Sequence, residues 1–274
     1  MTESPVGSFG AAPEAAEVSP EVRGLLVRLR DGAFEAPTPD GAIHLLDRVA
    51  REMTSLLGRY DRETLVAWRQ LGQFRNESGD AAGAVHLLGQ VSVDMSQALG
   101  ASDRETLHAQ ADLAFAIGNA GNGHDAALRL RHLVPVLRTE FGAQHPLVFT
   151  AQVQQAVNTG RTGDVLTAVG ELMQLVPVIE QTVGDEGITL AEARAELGRM
   201  VPQWRRVVGG GPLPPVMAVA MVHRLIVWDF GSDKEADAYL TELERATGRK
   251  GLAARLAAVP DGMTAPHATA MVLG

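Results

Sequence analysis

The chain contains no cysteine, so neither a disulfide framework nor thiolate chemistry is open to it, and the composition fits a reducing compartment. Lysine is nearly absent. Lys234 and Lys250 are the two lysines, and every other strongly basic side chain is arginine. In an Ala-, Gly- and Val-rich background that bias reflects GC-rich coding and says little about mechanism. Aromatic residues make up only 4%, and no apolar run approaches the ~18 residues of a spanning helix. The opening stretch MTESPVGSFGAAPEAAEVSP lacks a basic start followed by an apolar segment, so no signal peptide is expected. Positive charge is scarce as well: the net charge is −9. That argues against nucleic-acid and anionic-membrane partners, both of which require clustered Lys and Arg. A cytoplasmic location is the resulting expectation.

What the chain does have is a period. The pentapeptide DRETL occurs at 61–65 and again at 103–107, an offset of 42 residues. Gly58, Gly100, Gly142 and Gly184 fall on the same lattice, each after an apolar helical pattern where a glycine stop belongs. Gly79, Gly121 and Gly163 form a second row, and Ala42, Ala84, Ala126 and Ala168 a third. GAIHLLDRV at 41–49 returns as GAVHLLGQV at 83–91, and LVPV at 133–136 returns at 175–178. Within each unit the apolar residues keep helical spacing in two blocks separated by a short Gly turn, which makes the unit a helical hairpin. In the clearest copy, 65–79 is the first helix with its turn and 81–100 the second, with Trp68, Leu71 and Phe74 on one face. Pro135 and Pro177 fall inside second helices and are expected to kink them.

Trp68, Leu71, Gly72, Gly79, Ala84 and Leu88 resemble the tetratricopeptide repeat signature in order and spacing. The 42-residue period, with a polar loop such as GASDRETL or GAQHPLVF before each first helix, is similar to the longer variety of kinesin light chains and many bacterial proteins. Later copies depart from it: Gln110 and Ala114 stand where Trp68 and Gly72 do in the best copy. The resemblance implies an all-α fold, a right-handed superhelical array of antiparallel helix hairpins. After Gly184 the helix ITLAEARAELGRMVPQW keeps phase, but VVGGGPLPP then breaks the lattice. The expected organisation is a tail at 1–19, the array at 20–207 and a Gly/Pro linker at 208–215. A degenerate C-terminal hairpin with a capping helix follows at 216–259, then a second tail at 260–274. Gly231 and Ala236 are expected to repeat the Gly79–Ala84 register.

Motifs that would carry chemistry do not hold up. DRETL places Asp and Glu two apart, but at the mouth of a first helix, where acids cap free N–H groups and favour the dipole. The third copy reads HPLVF and carries neither acid. Asp229-Phe230-Gly231 spells DFG without other kinase elements, Gly209–Gly211 lacks a following Lys-Ser/Thr, and no GxSxG elbow exists. No histidines show a tight metal-ligand spacing, and His44 and His86 are repeat-equivalent. No catalytic residue, metal or cofactor is therefore assigned.

The better candidates sit on the first helices, which by the resemblance line the concave side. They are Arg69, Gln73 and Asn76; His108, Asp112, Phe115 and Asn119; and Gln154, Asn158 and Arg161. Asn and Gln suit the backbone of an extended peptide, and Arg69 and Arg161 suit carboxylates. The expectation is a non-catalytic scaffold that binds a protein or peptide segment, a plain solvated face being the alternative. Two rivals are a ligand-responsive sensor acting through a partner, and an accessory enzyme whose pocket, closed by the C-terminal segment, gathers His223, Trp228 or Asp112. The run MAVAMVHRLIVW, with Trp204 and Trp228, offers either a homodimer contact or intramolecular core.

Overall fold

The computed structural model describes residues 18–183, 187–227 and 229–274. Most of the expected N-terminal tail, the lattice position Gly184 and the candidate Trp228 lie outside them. Every regular element among the described residues is helical. A first pair, α1 (Pro20–Asp31) and α2 (Pro39–Leu57), is joined through a single 3-10 turn at Gly32–Glu35. Three further hairpins follow, α3 (Arg62–Glu77) with α4 (Ala81–Ala98), α5 (Arg104–Asn119) with α6 (Gly123–Phe141), and α7 (Pro146–Arg161) with α8 (Val165–Val183). The long α9 (Ile188–Val208) leads through a Gly/Pro segment to α10 (Pro215–Ile226), α11 (Asp233–Thr247), α12 (Leu252–Leu256) and α13 (Ala265–Leu273).

The lattice has a direct physical counterpart. Gly58, Gly100 and Gly142 close second helices at φ of 94°, 99° and 93°, and Gly79, Gly121 and Gly163 turn each hairpin at 90°, 93° and 100°. A side chain is strained at such φ values, which fixes glycine there. Asp61 and Asp103 cap α3 and α5, accepting from the N–H groups of Glu63 and Glu105 at 2.9 Å. In the third copy His145 takes over, its Nδ1 accepting from Leu147 N–H at 3.2 Å, so the cap survives the loss of the acid. A further row also emerges: Thr38, Asp80, Asn122 and Asp164 each accept a backbone N–H three residues on and start the second helices. Pro135 and Pro177 both lie inside continuous helices.

Packing repeats as well. Leu46, Leu88, Leu130 and Leu172 are all fully buried, as are Met53, Met95, Leu137 and Ile179. Each contributes about 1.5–3 kcal/mol of apolar burial. Gly72 is small because a Cβ there would lie 2.6 Å from Leu88. At the corresponding place in α9, Gly198 admits the α10 backbone itself, with the Ala220 carbonyl oxygen 2.6 Å from where a Cβ would be. First helices also touch the first helices of neighbouring hairpins, α3 with α5, α5 with α7 and α7 with α9, so they form one inner layer.

The C-terminal segment differs from expectation in three ways. Residues 265–273, expected as a tail, form α13, which packs on α10 with Ala268 and Val272 fully buried. The capping helix is only Leu252–Leu256, because Gly251 and Gly262 hold positive φ on either side and the chain turns before Pro260. Gly231 does not reproduce the turn of Gly79: it lacks a positive φ and instead donates its N–H to Glu235 Oε2 at 3.1 Å. α10 has already ended at Ile226, so no tight hairpin is required there. Of the two roles expected for this apolar run, dimer contact or intramolecular core, the structure shows core for much of it. Met217, Ala220, Met221 and Val222 are fully buried in one core with residues of α7, α8 and α9, and Trp204 packs against it.

Candidate binding groove

The inner layer presents a furrow of about 430 Å³ between α3, α5 and α7. Arg69, Gln73, Asn76, His108, Asp112 and Phe115 all line it, which brings together six of the ten residues expected from the sequence. Helical spacing accounts for this: positions four and three apart on α3 and on α5 stack along one face.

Most of these polar groups are already engaged, and their partners lie one repeat away. Arg69 meets Asp112 at 2.9 Å, 43 residues along, and Glu105 at 3.4 Å. Asn76 Oδ1 accepts from Asn119 Nδ2 at 3.1 Å, again 43 residues along. Gln73 donates to Glu77 at 2.9 Å within α3. Arg69 is therefore not a free holder of a partner's carboxylate, because two acids of the next hairpin already neutralise it and its side chain is only 12% exposed. Burial pushes the Asp112 carboxyl up, with Arg69 opposing, and burial together with Arg69 pushes the His108 imidazole down. His108 is accordingly neutral at physiological pH, and packs edge-on against Phe141 with centroids 5.2 Å apart.

The other four expected residues lie outside the furrow. Asn119 is exposed at its edge, bound to Asn76. Gln154 donates to Glu192 of α9, and burial lifts the Glu192 carboxyl, with Glu196 adding to the effect. Asn158 is fully buried: its Nδ2 donates to the Gln154 carbonyl at 2.8 Å, and its amide fills the space that Gly118 leaves. Asn158 is thus scaffold, not a contact for a ligand. Arg161 is exposed but lends Nη1 to the Gly118 carbonyl at 3.3 Å, once more 43 residues back. It differs from Arg69 in that this bond goes to a neutral carbonyl and does not cancel its charge.

Sequence analysis missed Glu77, His145, Pro146, Leu147 and Thr150, which complete the furrow. Four of these belong to the third copy's HPLVF region, noticed only for its lack of acids; its apolar replacements were the available signal. Asp112 opens to the furrow of α3, α5 and α7 while His223 sits on α10, so these two do not share that furrow, and Trp228 lies outside the described residues. Among the described residues no three His, Cys, Asp or Glu side chains are grouped as metal ligands, and no helix is long and apolar enough to cross a membrane.

Comparison with known folds gives the arrangement its place. Two crystal structures of a Podosopora anserina protein described as a kinesin light chain with nearly identical TPR-like repeats, one of them a variant, superpose with TM-scores of 0.53 and 0.52. Each is 20% identical, and the match covers 83% of this chain and 95% of that one. The chain folds as a tetratricopeptide-like repeat array. No family profile and no curated protein sequence matches it. The tetratricopeptide-like array accounts for the glycine rows, the small residues at Gly72 and Gly198, and the inner layer that carries the furrow.

Proposed function

We propose that this tetratricopeptide-like array is a non-catalytic scaffold that seats an extended segment of a partner protein in the furrow of α3, α5 and α7, in the cytoplasm. The observation that carries this reading is the lining itself. Phe115, Pro146 and Leu147 supply apolar contact, while Asn76, His108 and Thr150 stand beside them with hydrogen-bonding capacity for a peptide backbone. Because Arg69 and Asp112 neutralise each other, the furrow favours a segment held by shape and neutral hydrogen bonds over one held by charge. Phe115 is the natural anchor, as aromatic side chains in desolvated pockets dominate such contacts.

Site-specific photo-crosslinking tests it. A benzoylphenylalanine at Gln73 or Asn119 should trap the partner in cells, and one at His86, exposed on the outer helix α4, should not. Adducts from His86 alone would place the interaction on the other side and overturn the proposal.

A further inference from the structure

A cavity of about 1110 Å³ lies far along the chain from the furrow, between α9, the loop at 229–231 and α11. It shares no lining residue with the furrow. Five arginines line it, Arg199, Arg205 and Arg206 from α9, Arg224 from α10 and Arg245 from α11, against three carboxylates. Glu196, just outside the lining, pairs with Arg199 at 2.6 Å, which leaves a local excess of one positive charge in a chain of net charge −9.

The arginines divide by anchoring. Arg205 and Arg224 are buried to 9% and 7% side-chain exposure and are fixed in place. Arg205 donates to Glu242 at 3.0 Å and to the Gly211 carbonyl at 2.8 Å. Arg224 donates to Glu235 at 3.1 Å and lies over the rings of Phe230 and Tyr239 at 4.3 and 4.8 Å. At the rim, Arg245 is 70% exposed and pairs with Glu242, the carboxylate that Arg205 also uses, while exposed Arg206 donates Nε to the Pro202 carbonyl of its own helix. Unlike Arg69, which two acids neutralise, Arg205 and Arg245 share the single carboxylate of Glu242 and Arg206 stands beside them, so this end of the cleft keeps positive charge for a doubly charged oxyanion, each guanidinium fork matching two oxygens.

The geometry points to a second binding site in this cleft, for a small molecule that carries a doubly negative oxyanion, either a phosphoryl group or paired carboxylates. Arg206 and Arg245 close on the anion, and Arg205 and Arg224 set where it sits. The site goes beyond the furrow and is independent of whether a protein segment binds there.

The test titrates the full chain with inorganic phosphate, and separately with succinate, at ionic strength held constant with sodium chloride, reading thermal stability and heat. A saturable rise with phosphate alone assigns a phosphoryl ligand, and a rise with succinate assigns a dicarboxylate. The exposed-rim double variant Arg206→Ala, Arg245→Ala should leave the circular dichroism unchanged and weaken binding by about tenfold per guanidinium. Absence of a saturable effect with both anions, or equal binding by the double variant, overturns the site.

Discussion

Gly198→Ala separates packing from helix propensity at the joint between the regular array and its C-terminal segment. A Cβ at this position would lie 2.6 Å from the Ala220 carbonyl oxygen, 3.1 Å from its carbon and 3.2 Å from the Tyr239 hydroxyl. To reach even a close C···O contact of ~3.3 Å, α10 must retreat by about 0.7 Å. A backbone carbonyl cannot rotate away as a side chain can, so the overpacking cost is about 1–3 kcal/mol. The same shift disturbs the hydrogen bond from Tyr239 to the Gly198 carbonyl, 2.6 Å long and buried, for about 1 kcal/mol more. Against this, alanine is about 1 kcal/mol better than glycine inside a helix. The balance is a loss of about 1–3 kcal/mol, or roughly 4–8 °C in melting temperature for a middle value of ~2 kcal/mol in a domain of this size. Gly170→Ala in α8 is the matched control, since nothing lies within 4 Å of its would-be Cβ. It should gain about 0.5–1 kcal/mol. Urea denaturation followed by circular dichroism and, in a Trp68→Phe, Trp228→Phe background, by the emission of the remaining Trp204 reads both the whole array and the affected joint, as stability in such arrays is a sum of neighbour contributions. A Gly198→Ala protein as stable as the parent would refute the close-approach argument.

Three other outcomes follow from the structure. His108 has a depressed folded pKa, so it contributes full stability above its unfolded pKa of about 6.5 and loses it as pH falls through the window below. His108→Asn should therefore narrow the difference in melting temperature between pH 7.5 and 5.5; an unchanged difference would count against a buried neutral imidazole. Asp103→Ala removes the α5 cap and the 2.6 Å contact with Arg62. It should cost about 1 kcal/mol by denaturation, and Asp103→Asn should recover most of it, because the cap dominates and the exposed ion pair is worth little. Deleting residues 262–274 should destabilise the protein by at least about 2 kcal/mol, since it uncovers the α10 face that Val272 and Ala268 bury. A truncated chain of unchanged stability would return that segment to the status of a tail.

The period was legible because it is written in residues whose backbone roles are exclusive. Glycine at positive φ and a short acceptor at a helix start leave few substitutes, so rows such as Gly79, Gly121 and Gly163 survive divergence. The row of Thr38, Asp80, Asn122 and Asp164 was equally available but varied in residue type, which hid a constant role. α13 escaped notice for a different reason. PHATAMVLG bunches its apolar residues at one end and does not space them along one face, and its burial depends on α10 supplying the complementary surface. Six residues of the furrow were found because they share helical faces, yet their engagement was not visible. The lattice of 42 pairs Arg69 with Ala111 in register, whereas the side chains meet one residue later, at Asp112.

That one-residue offset recurs in Arg69 with Asp112, Asn76 with Asn119, and Gly118 with Arg161, each separated by 43. Equivalent positions on successive first helices point the same way and not at each other, so a contact between the helices joins positions that are offset along the chain. The inner face is thereby stitched from hairpin to hairpin by its own polar groups. A partner entering the furrow cannot gain the full worth of those stitched groups, because a bond to an atom already engaged replaces one already made. Its affinity must come chiefly from covering Phe115, Leu147 and Pro146, with the stitched amides fixing the shape that those contacts require. The polar residues that first drew attention thus link neighbouring hairpins, and recognition of the proposed segment would fall to the apolar ones between them.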